Sequence, residues 1–171
     1  SFSYHLRYEI TTQSPVDAEP NNTVQQAVLF EENNLLQGHI GYTTNGVYDG
    51  NDYYKSAMAD DGTLKIYASG INTGGTNGYL RLFAYDKSGR EILNRILRNK
   101  TDVLPGQAVS DTILIYSRGA DTIRYRMYAD NQSFSYQLHY EIIQQSEHDP
   151  EPNNSIQQAT LFSETDLLKG H

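Results

Sequence analysis

Apolar and polar residues alternate with a period of two along most of this chain. Phe134, Tyr136, Leu138, Tyr140 and Ile142 are separated by Ser135, Gln137, His139 and Glu141. Ile123, Tyr125, Met127 and Ala129 follow the same rule, as do Leu64, Ile66 and Ala68. Such alternation is the mark of a strand with one buried face. In Leu80–Ala84 the alternation is overlaid by Phe83, with Tyr79 and Tyr85, so both faces of that strand read as apolar. Thr112–Tyr116 is a continuous apolar run, and we expect from it a central strand buried on both faces. Asn45-Gly46, Asp61-Gly62, Asn77-Gly78, Ser88-Gly89 and Pro105-Gly106 are turn signals between these runs. Helical periodicity is weak: Val24–Leu29 suits a single turn, and Glu91–Leu97 reads as a strand. Seven to nine short strands with polar turns predict an all-β fold, a β-sandwich of jelly-roll or Greek-key type. An up-and-down barrel is the alternative.

The chain also repeats itself. Residues 1–39 and 133–171 align without a gap at an offset of 132, and 25 of the 39 positions are identical. SFSYHLRYEI returns as SFSYQLHYEI, and EPNNTVQQAVLF returns as EPNNSIQQATLF. This spacing exceeds the ~20–50 residues of a solenoid unit, so each repeat is expected to be a whole domain. The linker-like stretches 13–22 and 145–154 place the boundaries. Residues 1–16 read as the last strand of a preceding repeat and 17–143 as the intact domain. Residues 144–171 read as a linker and the first segment of the next repeat. No leader sequence opens the chain, and we expect it to be a piece of a tandem array cut out of phase. Residues 1–10 are candidates to pair with 149–171 of another copy, joining chains head to tail by strand addition.

Composition narrows the chemistry. Lys and Arg number 13 against 21 Asp and Glu, a net charge of -8. That disfavours nucleic acid and an anionic membrane surface as partners. No run of ~18 apolar residues is present, so no membrane insertion is expected. Cys is absent, which removes disulfides, thiolate metal sites and thiol nucleophiles. The five His show no zinc-binding spacing, and no G-x-S-x-G elbow occurs. No catalytic constellation emerges, and the expectation is a protein that is not an enzyme. Tyr is abundant, with 14 residues. Rows of exposed Tyr would make a platform for sugars or extended peptides; Tyr filling half-buried strand positions is the plainer reading.

Two acidic segments are candidates for a metal. Asp17, Glu19 and Asn21 are alternate residues of one segment that continues to Asn22. Asp49 and Asp52 flank Gly50 in the other. Calcium takes 6–8 oxygen ligands from carboxylates, amides and carbonyls, and these segments supply them if they pack together. The plain alternative is a linker turn and a solvated loop.

The order of motifs resembles the bacterial pre-peptidase C-terminal domain family, which includes the collagen-binding domains of clostridial collagenases. The resemblance rests on the E-P-N-N start and Gln/Ala-rich stretch of Glu19–Leu29, and on the D-x-x-D-Y-Y segment of Asp49–Tyr54. It continues through Tyr85-Asp86-Lys87-Ser88-Gly89, the strand Tyr125–Tyr128 and the final Tyr136-Gln137-Leu138. Ser56 departs from it, standing where the family usually has an aromatic or aliphatic residue. The resemblance implies a secreted, non-catalytic jelly roll that binds Ca²⁺. It assigns Asp17, Glu19, Asn21, Asn22, Asp49 and Asp52 as ligands, joined by the backbone carbonyl of Asp52 or Tyr53. Asn22, where strong binders have Asp, implies modest affinity. Near-identity of the repeats suggests a stalk or fibre of calcium-stiffened repeats in a secreted bacterial surface or matrix protein, or a collagen- or polysaccharide-binding module acting through Tyr-rich faces; the resemblance adds an accessory domain of a secreted peptidase.

Overall fold

The computed structural model describes residues 18–44, 46–59, 61–117, 121–130 and 132–144, together with 155 and 157. A single 3₁₀ turn, Val24–Gln26, precedes strand β1 (Val28–Leu29). Then come β2 (Leu35–Ile40), β3 (Tyr42–Thr44), β4 (Val47–Asp49), β5 (Asn51–Met58) and β6 (Gly62–Asn72). β7 (Leu80–Tyr85), β8 (Glu91–Ile96), β9 (Ala108–Ser117), β10 (Asp121–Ala129) and β11 (Phe134–Gln144) complete the order. One sheet runs β1-β5-β10-β7-β8, the second β2-β11-β6-β9, and β3-β4 form a separate hairpin.

Without β1 and the small hairpin, eight strands remain. In chain order they lie 1-8-3-6 in one sheet and 2-7-4-5 in the other. First pairs with last, second with seventh, third with sixth and fourth with fifth, as when one long hairpin is rolled up. Of the two sandwich types the alternation left open, that is the jelly roll. Among the described residues no helix is long and apolar enough to cross a membrane. The two flanks expected at 1–16 and 144–171, and the strand addition between them, fall almost wholly outside the described residues.

The core lies between the sheets and is made by the inward half of each alternating strand. Leu64, Ile66 and Ala68 face Leu80, Leu82 and Ala84, with Ile123, Tyr125, Met127, Phe134, Tyr136 and Leu138 among them. The expectation for Thr112–Tyr116 is corrected. β9 is the edge of its sheet, with Ile113 and Ile115 buried but Leu114 and Tyr116 exposed. Burial there keeps its period of two although hydropathy does not, because an antiparallel sheet can show apolar side chains to water. Glu91–Ile96 is a strand, as read, and ends in a 3₁₀ turn at Leu97–Asn99.

The outer face of the five-stranded sheet explains Phe83. In the register of β5, β10 and β7, the outward rows are Tyr53-Arg126-Phe83, Asn51-Tyr128-Arg81 and Lys55-Arg124-Tyr85. Phe83 is only 6% exposed although it points away from the core, because guanidinium groups cover it. Tyr53, Tyr85 and Tyr128 of these rows are half-buried; elsewhere in the strands Tyr54, Tyr125, Tyr136 and Tyr140 are buried, Tyr67 is half-buried, and Tyr42, Tyr48 and Tyr116 are exposed.

The turn between β7 and β8 is organised by Asp86, whose carboxylate accepts from the Ser88 hydroxyl, the backbone N–H of Ser88 and Arg90, and Arg90 Nε. Gly89 takes the positive φ of 84° that closes the turn. These bonds, the Ser88 hydroxyl foremost, hold the Asp86 carboxyl well below its ordinary value, at about 2. A carboxyl lowered on folding stabilises the fold above the unfolded-state value of 3.8 and loses that contribution as pH falls towards 2. Carboxyl NMR should place the Asp86 midpoint near 2; an ordinary carboxylate midpoint would refute this account of the turn.

Candidate metal centre

The N-terminal segment is laid along β5 by backbone bonds. The Asn21 carbonyl accepts from Tyr53 N–H at 2.9 Å, and Phe30 N–H donates to the Lys55 carbonyl at 2.8 Å. Between them, β1 pairs with β5 in parallel, Val28 beside Tyr54. Ser56, the departure from the family pattern, is buried and donates to the Phe30 carbonyl at 2.9 Å. A hydroxyl thus binds the incoming segment where an apolar side chain would only pack.

The second segment arrives through the β3-β4 hairpin, closed at Gly46 with φ of 77°. Asp49 ends β4, and Gly50 turns the chain into β5, where Asp52 points inward. Alternation puts Asp52 and Tyr54 on the same buried face. Asp52 and Asn21 are fully buried and Asp49 is 6% exposed, whereas Glu19 is exposed.

These elements bring Glu19, Asp49 and Asp52 together, with carboxylate oxygens from all three within 4.8 Å of one another. Such a group can hold a metal ion. Each pair of charges at that separation repels by about 3–4 kcal/mol at an effective dielectric of about 20. Two of the three are also largely shut off from water.

Polar neighbours hold the cluster in place. Asn21 N–H donates to Glu19 Oε2 at 3.1 Å. Tyr136 OH donates to Asp52 Oδ2 at 2.6 Å, and the Tyr54 and Tyr136 hydroxyls share a short hydrogen bond. Asn21 Nδ2 donates to Tyr54 OH at 3.3 Å. A buried chain of two phenols therefore runs from the N-terminal segment to Asp52. Asn22 lies against Asp49 Oδ1 and, at 2.9 Å, the Asn51 carbonyl; with its NH₂ towards them it donates to both.

Of the six residues singled out in the sequence, Glu19, Asp49 and Asp52 form the cluster, and Asn21 and Asn22 border it. Asp17 lies outside the described residues. The backbone carbonyl beside Asn22 is that of Asn51, one residue before the two named in the sequence reading. Tyr54 and Tyr136 were not anticipated as part of the site. The i, i+2 spacing of Asp52 and Tyr54 was a usable signal for the first. Nothing local marks Tyr136, which is 84 residues from Asp52.

No family model matches the chain, and no curated protein matches it. Among solved structures it is similar to the pre-peptidase C-terminal domain of collagenase from Bacillus anthracis, with 14% identity and a TM-score of 0.44, over 67% of this chain and 94% of that one. It is also similar to the K3 adhesin domain of Lys-gingipain from Porphyromonas gingivalis, with 15% identity and a TM-score of 0.41, over 64% and 73%. A third similarity, to infectious bursal disease virus (Gx strain), has 10% identity and a TM-score of 0.35, over 63% and 29%.

Proposed function

We propose that this chain is a non-catalytic, calcium-stiffened repeat module of a secreted bacterial surface or matrix protein, working as a stalk or fibre. The observation that carries the reading is the convergence of Glu19 with Asp49 and Asp52. Glu19 belongs to the segment that enters the domain, whereas Asp49 and Asp52 belong to the sandwich itself. Three carboxylates, the amides of Asn21 and Asn22 and the Asn51 carbonyl make an all-oxygen donor set of the size Ca²⁺ takes. Bound there, Ca²⁺ supplies positive charge that cancels the repulsion and ties the incoming segment to β5. In an array, the same tie at each junction would resist extension and proteolysis. The motif order and the near-identity of the repeat segments support this reading. Residues 149–154 repeat the first half of the donor set at the start of the next unit.

Thermal unfolding in Ca²⁺ and in EGTA tests it. At about a thousand times Kd, linkage adds about 4 kcal/mol, or roughly 12–16 °C for a domain of this size. Mg²⁺ should do much less, because it demands a tight octahedron and keeps its waters. Equal melting in Ca²⁺ and EGTA would reject the metal clamp. A second reading, a collagen- or polysaccharide-binding module, is favoured by the aromatic outer face of the five-stranded sheet, where Tyr53, Tyr85 and Tyr128 stand together.

A further inference from the structure

The chain is strongly acidic, yet one of its surfaces is basic. Four of its 13 Lys and Arg residues, Lys55, Arg81, Arg124 and Arg126, project from adjacent positions on the outer face of the five-stranded sheet. None of them forms an ion pair among the described residues. The carboxylates bordering them have other partners: Asp86 binds Arg90 and Ser88, Asp121 the backbone of Lys87 and Thr122, Asp130 the Tyr128 hydroxyl, and Glu91, opposite Tyr85, the Asn94 amide. Arg124 donates only to the backbone carbonyls of Asp86 and Lys87.

Two of these cations lie over aromatic rings. The Arg126 guanidinium lies 3.9 Å from the Phe83 ring centroid and 5.6 Å from that of Tyr128. Arg81 lies 5.1 Å from the Tyr79 centroid and 5.5 Å from that of Phe83. The Nε of both Arg is buried and has no hydrogen-bond partner among the described residues. A guanidinium stacked in this way is partly dehydrated and pre-oriented, with less rotamer entropy left to lose on binding. Its outer edge remains the bidentate donor that suits carboxylate or sulfate.

We propose that this face binds an anionic polysaccharide, with Arg81, Arg126 and Lys55 contacting carboxylate or sulfate groups and the flanking Tyr rings meeting the sugar faces. This rests on the second reading above and makes its platform a charged one. Charge complementarity selects a polyanion on a chain whose net charge is -8. Alternation of rings and cations across three strands selects a ligand made of charged rings. An acidic peptide is disfavoured because the middle of a sheet face offers no free edge for main-chain pairing and no groove for a helix.

Binding should be measured with polygalacturonate and with dextran sulfate, which separate carboxylate from sulfate as the recognised group. Uncharged dextran, collagen and poly-glutamate serve as comparisons, in low salt, with EGTA and again with Ca²⁺. The expected result is binding of at least one charged polysaccharide in EGTA, weakening as salt is raised. Arg81→Gln/Arg126→Gln should lose about tenfold or more in affinity, while Lys65→Gln on the opposite sheet should lose nothing. Circular dichroism checks that the double variant folds; if it does not, Lys55→Gln carries the test, with a smaller loss expected. No binding of either charged polysaccharide, unchanged binding by the variants, binding only in Ca²⁺, or poly-glutamate binding as tightly would each overturn the proposal. Binding of collagen or dextran without the charged polysaccharides would overturn it too, while keeping the broader binding-module reading. A missing calcium shift in the melting experiment would leave it untouched.

Discussion

Asp52→Asn should raise the melting temperature in EGTA and abolish the response to Ca²⁺. The two effects have opposite signs because the same charge acts in both states. Without a cation, Asp52 is fully buried beside two other carboxylates. Removing its charge relieves two repulsions, and the amide oxygen of Asn can still accept from Tyr136 OH. The net gain should be about 1–2 kcal/mol, or roughly 4–8 °C, less than the summed Coulomb terms because the cluster relaxes. With Ca²⁺ in excess, the variant should lose the roughly 12–16 °C that the wild-type protein gains. Asp52→Ala is a poorer test, since it leaves the Tyr136 hydroxyl without its acceptor, at about 1–3 kcal/mol. If Asp52→Asn melts lower than wild type in EGTA, the carboxylate is a structural acceptor in its own right and the cluster is not poised for a cation. If it keeps the Ca²⁺ response, the ion binds elsewhere.

The architecture was legible in the sequence because burial follows a period of two almost everywhere. Phe134–Ile142 and Ile123–Ala129 became interior strands, one in each sheet, with inward residues as read. The reading failed at Thr112–Tyr116, where hydropathy alone cannot tell a buried central strand from an edge strand with apolar residues facing water. Position in the sheet order decides that, and sheet order is a non-local property. In the carboxylate cluster, Glu19, Asp49 and Asp52 were legible because carboxylates are a small set and their segments are short. The Tyr54-Tyr136 pair was hidden because it forms only when β11 crosses opposite β5 between the sheets. The basic face was hidden for a different reason. Net charge averages over the whole chain, and only the register of three strands shows that Lys55, Arg81, Arg124 and Arg126 are neighbours.

Gly38→Ala tests whether the phenol chain positions the centre. Gly38 of β2 sits opposite Tyr136 of β11, and on its other side Tyr136 is opposite Gly70 of β6. A Cβ at Gly38 would lie 2.3 Å from the Tyr136 Cζ and hydroxyl oxygen. The ring therefore lies across Gly38, and that is how its hydroxyl reaches Asp52. An added methyl must push the ring away, and the ring is fully enclosed, with Tyr136 only 2% exposed. Overpacking of this kind costs about 1–3 kcal/mol, and displacing the hydroxyl strips Asp52 and Tyr54 of a shared partner, for about 1–3 kcal/mol more. We expect a fall in melting temperature of roughly 6–24 °C, together with weaker Ca²⁺ stabilisation, because Asp52 is then no longer fixed. Gly75→Ala is the control: its Cβ meets nothing within 4 Å. Gly38→Ala/Tyr136→Leu separates sterics from a general intolerance of side chains in β2. A shorter side chain at 136 leaves room for the methyl, so Ala at 38 should cost less in that background than alone. Equal cost in both backgrounds would mean that Gly38 serves the strand itself and not the Tyr136 ring. Loss of stability with an undiminished Ca²⁺ shift would remove the phenols from the metal centre and leave them to the core.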